Sequence, residues 1–212
     1  MIIQSKQYPL GVSLIAIAVF LASCTTVVQP PATGLQNGDI IFHTSNSGQS
    51  KVIQLATGSE YSHCGIIYKE EQKTYVIEAI QPVKRTPFEE FVKRGENNAY
   101  VVKRLKNADH VLSTSVLRDM KKEAQKMIGK NYDSEFGWSD NQIYCSELVW
   151  KVYQRSTGIE LVRLKKLKDY DFSNSEVQST LNKRYKNAIP WEEPMISPGD
   201  LFESSHLITV EE

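Results

Sequence analysis

Two β-rich runs, residues 62–68 and 74–80, flank the charged pentapeptide KEEQK at 69–73, and this pattern constrains the chain most. A short polar break between two runs of β-branched and aromatic residues reads as an antiparallel hairpin. Pairing of that kind sets the start of the first run against the end of the second. His63 and Glu78 can then share one face of the sheet. Further strands are expected at 39–43, after the Asn37-Gly38 turn signal, and at 100–105. Helical spacing marks 49–57, 87–94, 111–128 and 145–157. The third carries Leu112, Val116, Met120, Ala124 and Ile128 every four residues before Gly129; the fourth carries Leu148, Val149, Val152 and Tyr153 before Gly158. Ser197-Pro198-Gly199-Asp200 reads as a cap and first turn. The sum is an α+β domain, a small, mostly antiparallel sheet with a few helices packed on it.

The first segment stands apart. Residues 10–22 read LGVSLIAIAVFLA, without a charge and too short to cross a bilayer comfortably. They lead into Leu21-Ala22-Ser23-Cys24, which resembles the processing box of bacterial lipoproteins. That resemblance implies cleavage before Cys24 and a diacylglycerol on its thiol; an ordinary secretory signal or a short buried helix are the alternatives. Residues 25–34, TTVVQPPATG, have the Pro-rich character of an extended tether. The expected organisation is a signal peptide at 1–23, lipidated Cys24 and tether at 24–37, and one domain at 38–212. It places the protein in the bacterial cell envelope, on a membrane through Cys24.

Charge and motifs exclude several classes of function. Twenty-five Lys+Arg balance 25 Asp+Glu, which argues against a broad nucleic-acid surface. The three cysteines cannot all pair with one another, so disulfides do not organise the fold. No zinc-ligand spacing and no phosphate-cradling glycine loop is present, and Asp169-x-Asp171 lacks the Gly and Glu of a calcium loop. No metal or cofactor is expected. The basic run 163–168 reads as a solvated face, or as a contact for anionic headgroups.

Cys145 opens the helix at 145–157. Unpaired N–H groups and the positive end of the dipole at that position favour a thiolate and can bind an oxyanion. A free cysteine there can equally fill a helix–sheet contact, and His63 with Glu78 can equally be an incidental cross-strand pair. Tyr61 and Tyr144 flank the motifs as hydroxyl donors or packing residues. Glu147 is expected to cap its helix, Asp133 to shape the preceding loop, and His43, His110 and His206 to be structural or exposed. Strand alternation points Cys64 to the face opposite His63, into the core and away from Cys145; a silencing Cys64–Cys145 disulfide in an oxidising periplasm is the minor alternative.

The segments TGSEYSHCGII, YVIEA, GKNYD and YCSELVWKVY, in this order and after GDIIF, resemble the permuted NlpC-type, papain-like cysteine hydrolases of the YiiX/YebB-like family. The resemblance spans about 38–157. It implies a papain-like fold, a thiolate nucleophile at Cys145, a base at His63 and an orienting acid at Glu78. It also implies amide hydrolysis, with cell-wall peptides the usual substrate of relatives. Acyltransferases of the lecithin–retinol type share the pattern, so a peptide, an acyl-amide or a lipid-like molecule all fit. A cleft that binds a ligand without cleaving it is the non-enzymatic alternative.

Overall fold

The computed structural model describes residues 34–186 and 188–212; the expected signal peptide, Cys24 and most of the tether lie outside them. In chain order the main elements are β1 (Ile40–His43), α1 (Ser50–Thr57), β2 (His63–Glu70), β3 (Lys73–Glu78), β4 (Lys84–Pro87), α2 (Phe88–Val92) and β5 (Val101–Leu105). Then come α3 (Ala108–Val111), α4 (Thr114–Met127), β6 (Asn131–Tyr132), β7 (Gln142–Ile143) and α5 (Cys145–Thr157). The chain finishes with β8 (Lys165–Lys166), α6 (Ser175–Tyr185), β9 (Pro194–Met195), α7 (Pro198–Phe202) and β10 (Leu207–Glu211).

Six strands form one antiparallel sheet in the order β10-β5-β1-β2-β3-β4. One face buries Ile40, Phe42, Cys64, Ile66 and Ile77 against α4 and α5, which supply Met120, Ala124, Leu148, Val149 and Val152. The alternate residues Ile41, Ile67, Val76 and Val102 are buried on the other face, where α2 contributes Phe88 and Phe91. The fold is thus the expected α+β sheet with packed helices. Among the described residues no helix is long and apolar enough to cross a membrane.

The hairpin forms with a tighter turn than the charge pattern suggests, because the ladder runs out to Glu70 opposite Lys73. The helix expected at 111–128 is shorter. Ser113 caps α4 by accepting from the Val116 N–H, and a break at Leu112 separates the short α3. Ile128, the last residue of the expected stripe, is 42% exposed, because α4 ends at Met127 and Ile128 is already extended. Ser197 and Asp200 cap α7 reciprocally, with Pro198 at its first turn, as expected. The C-terminal strand β10, beside β5, has no counterpart in the sequence reading; its partner lies about a hundred residues earlier.

Ile66 pairs with Ile77, so the next residues, Gly65 and Glu78, face each other across the hairpin. A Cβ on Gly65 would lie 2.4 Å from Val76 Cγ1, 2.9 Å from the Ile77 carbonyl and 3.2 Å from Glu78 Cβ. The missing side chain is the space through which Glu78 leans diagonally towards His63. Gly65→Ala is therefore expected to destabilise the fold by about 1–3 kcal/mol in urea unfolding. Gly48→Ala, where an added Cβ meets nothing within 4 Å, should stay close to wild type.

Candidate active site

His63 opens β2 and Glu78 closes β3, and the hairpin brings the two side chains together. His63 Nε2 donates to Glu78 Oε2 at 2.6 Å. Glu78 is fully buried, and its second oxygen accepts from Thr86 Oγ1 at 2.5 Å and from the Arg94 guanidinium. Burial pushes the Glu78 carboxyl up, but the bond and charge of His63, then Arg94 and Thr86, hold it down at about 2. A charge without water needs this full set of partners.

Cys145 is the first residue of α5, and α5 packs directly on β2. Its thiol lies beside the His63 ring. Burial lowers the His63 imidazole, yet the bonding and charge of Cys145 and then of Glu78 outweigh it and lift the ring to about 9. For Cys145 the strongest influence is hydrogen bonding from the Cys64 side chain, which lowers it. Burial opposes that, and His63 with the Cys64 backbone lowers it further, leaving the thiol well below its ordinary value. The two shifts describe one species, a thiolate–imidazolium pair backed by a carboxylate. Three of the expected site residues are therefore brought together.

Cys64 corrects the sequence reading. Alternation does turn it away from His63 and into the core, where it is fully buried. That face is the one on which α5 packs, so the Cys64 thiol meets Cys145 instead of being separated from it. Burial and the neighbouring Cys145 raise the Cys64 thiol well above its usual value, so of the two sulfurs it keeps its proton.

Both tyrosines placed beside the motifs have partners of their own. Tyr61 stacks on Phe202 at 4.0 Å, with Glu60, Glu203 and Glu212 nearby. Tyr144 is buried, and its hydroxyl accepts from the Ile196 N–H at 3.3 Å. Tyr132 stands in the cleft instead. Burial and then the Cys145 charge keep its phenol protonated, and Gln49 Nε2 donates to it at 3.5 Å. GKNYD was the signal that could have found it. Arg94 was missed because nothing local distinguishes it from other surface arginines.

The remaining candidates fall into place more simply. Glu147 accepts from the Tyr144 N–H at 3.2 Å, capping α5 as expected, and pairs with buried Lys151 at 2.6 Å. Asp133 accepts from the Glu135 N–H at 2.8 Å and so shapes its loop. His110 and His206 are exposed. His43 is buried against Phe91 and 5.2 Å from the His63 ring, and neither of its nitrogens has a partner among the described residues. Burial and then the positive charges of His63 and Arg94 lower it to about 3, so it stays neutral beside the charged ring. In the basic run Lys165 pairs with Asp200, and Lys166 and Lys168 pair with Glu192.

A sheet that presents a histidine backed by an acid to a cysteine at a helix N-terminus, in the chain order His–acid–Cys, defines a permuted papain-like cysteine enzyme. Residues 34–211 match the family described as "Permuted papain-like amidase enzyme, YaeF/YiiX, C92 family". The chain is 45% identical over 175 residues to YiiX of Escherichia coli strain K12, described as an uncharacterized protein, covering 82% of this chain and 85% of YiiX. It also resembles the crystal structure described as metalloprotein yiiX from Escherichia coli O157:H7. That likeness has a TM-score of 0.79 and 46% identity, and covers 84% of this chain and 97% of that one. The chain belongs to the permuted papain-like amidase family of YaeF and YiiX.

The ion pair sets a pH window. Its thiolate half should keep Cys145 reactive towards iodoacetamide at about pH 6, where an ordinary thiol near 8.5 is almost wholly protonated. Cys64→Ala removes the strongest influence lowering that thiol, so the alkylation–pH profile should move to higher pH. The stability contributed by His63 is full below 6.5 and lost as pH rises through about 9. That from Glu78 is full above 4.5 and lost as pH falls through about 2. Denaturation midpoints across pH check both limbs.

Proposed function

We propose that the protein is a cysteine amidase in which Cys145, His63 and Glu78 act as nucleophile, acid–base and orienting acid. The observation that carries the reading is the buried His63–Glu78 bond at 2.6 Å with the Cys145 thiol close enough to the ring to raise it. The thiolate attacks the amide carbonyl carbon, and the charge passes to the carbonyl oxygen. The Cys145 N–H at the helix start and the Tyr132 hydroxyl stabilise that oxyanion. As the C–N bond breaks, His63 gives its proton to the departing amine, leaving a thioester on Cys145. His63, now neutral, takes a proton from water, whose oxygen attacks the thioester and releases the acid. Glu78 holds the ring in one orientation through both halves.

A peptide of the cell wall is the substrate this reading favours, met at the bacterial envelope by an enzyme tethered through lipidated Cys24. Cavity shape supports an amide over a lipid acyl group. The cleft beside His63 and Tyr132 holds about 590 Å³ and offers hydrogen-bonding side chains such as Ser45, Asn46, Gln49 and Gln81 along its walls. The apolar cavity behind Tyr144 holds only about 50 Å³, too little for an acyl chain. The Escherichia coli O157:H7 relative is described as a metalloprotein. Among the described residues of this chain no three His, Cys, Asp or Glu side chains are grouped to hold a metal ion. No step of the proposed reaction runs through one.

Intact-mass analysis after incubation with wall-peptide fragments should reveal a thioester adduct on the wild type. Cys145→Ala should lose both adduct and turnover while unfolding near the wild-type midpoint. Glu78→Gln should lower kcat by at least about tenfold. Undiminished turnover in Cys145→Ala would overturn the proposal.

A further inference from the structure

The charge of the cleft points to the kind of amide it accepts. Among the described residues its walls include Lys93 and Arg94 and no Asp or Glu, although the whole chain is electrically balanced. Glu78 lies beneath this surface, fully buried and committed to His63, Thr86 and Arg94. The cavity on the other side of His43 has the opposite character, with Glu60 and Glu96 in its lining and, among the described residues, no Lys or Arg. The sign of charge is therefore sorted across His43, and the side carrying His63 is the positive one.

Arg94 is held in place before any ligand arrives. Its Nη2 donates to Glu78 and its Nε to the Glu90 carbonyl at 3.4 Å, while its guanidinium lies over the Phe91 ring at 5.5 Å. Nη1 has no protein partner among the described residues and remains available to a ligand in the cleft. Lys93, one residue earlier, is exposed at the same wall and makes no ion pair among the described residues. A guanidinium edge beside an ammonium suits the two oxygens and single charge of a carboxylate. In a cleft such charges also draw an anion in from solution.

We propose that Lys93 and Arg94 form an anion subsite, and that the amide cleaved at Cys145 carries a carboxylate on a flanking residue. This rests on the cysteine-amidase reading and names the substrate class for the same cleft. Lys93 is a specificity residue and takes no part in bond breaking. Arg94 has a second task, because it also holds Glu78.

Haloacetyl probes test the subsite without the natural substrate. N-bromoacetyl derivatives of glycine, β-alanine and γ-aminobutyrate, as free acids and as carboxamides, alkylate the thiolate with loss of bromide. Rates at Cys145 are read by intact mass and normalised to a small free thiol. For at least one spacer length the acid should react about tenfold faster than its carboxamide in about 50 mM salt, and the preference should shrink in about 500 mM salt. Lys93→Gln should remove most of that preference by slowing the acids towards the carboxamide rate. Lys122→Gln, an exposed position on α4 with the same loss of charge, should keep it. Rapid labelling of Cys145 by both forms with no preference at any length would overturn the subsite and leave the amidase reading standing. A stronger preference for the phosphonate homologue would overturn the carboxylate assignment. No labelling of Cys145 by any probe would remove the thiolate on which both readings stand.

Discussion

Glu78 is the buried charge around which this site is arranged. Isolated in the sheet it would cost several kcal/mol, and three partners offset that cost: the His63 ring, the Thr86 hydroxyl and the Arg94 guanidinium. The carboxylate stabilises His63 in its cationic form, and the cation in turn lowers the Cys145 thiol. Charges consequently alternate along Cys145, His63, Glu78 and Arg94. Removing Glu78 would leave the His63 ring and the Arg94 guanidinium without the carboxylate that both of them bond. The arrangement also needs the empty position of Gly65, where a side chain would occupy the path that Glu78 takes.

The two faces of the sheet divide the labour. One face packs α5 and α4 into the main core and delivers Cys145 to the end of β2, with Cys64 as a protonated sulfur against it. The other holds His63, Glu78 and neutral His43 beneath α2, with Phe91 lying along both histidine rings. Cys145 is thus supplied from one side of the sheet and His63, at the start of β2, from the other. The cleft opens there, bordered by Tyr132 and by the cations that follow α2.

Local patterns made some of this legible. The KEEQK turn and the alternation of its flanking strands were enough to put His63 and Glu78 on one face, because antiparallel pairing leaves few registers that bury Ile66 and Ile77 together. The helix beginning at Cys145 was equally visible, since Gly158 and the apolar stripe delimit it. The misplaced residues share one cause. Cys64, Tyr61, Tyr144, Tyr132 and Arg94 owe their surroundings to contacts between elements far apart in the chain. Alternation correctly gave the face on which Cys64 lies, but not that α5 would cover that face.

By itself, then, the sequence determined most elements up to α5, the α+β class, the His63–Glu78 pair and a cysteine at a helix start. These follow from periodicity and turn chemistry, which act over a few residues. Tertiary structure decided which sulfur neighbours Cys145, that Tyr132 lines the cleft, how Arg94 completes the buried charge and where β10 closes the sheet. Those outcomes depend on how α5 seats against β2 and on pairings that cross most of the chain. Hydrophobic burial drives such packing without regard to sequence distance, so no local window of residues carries the information.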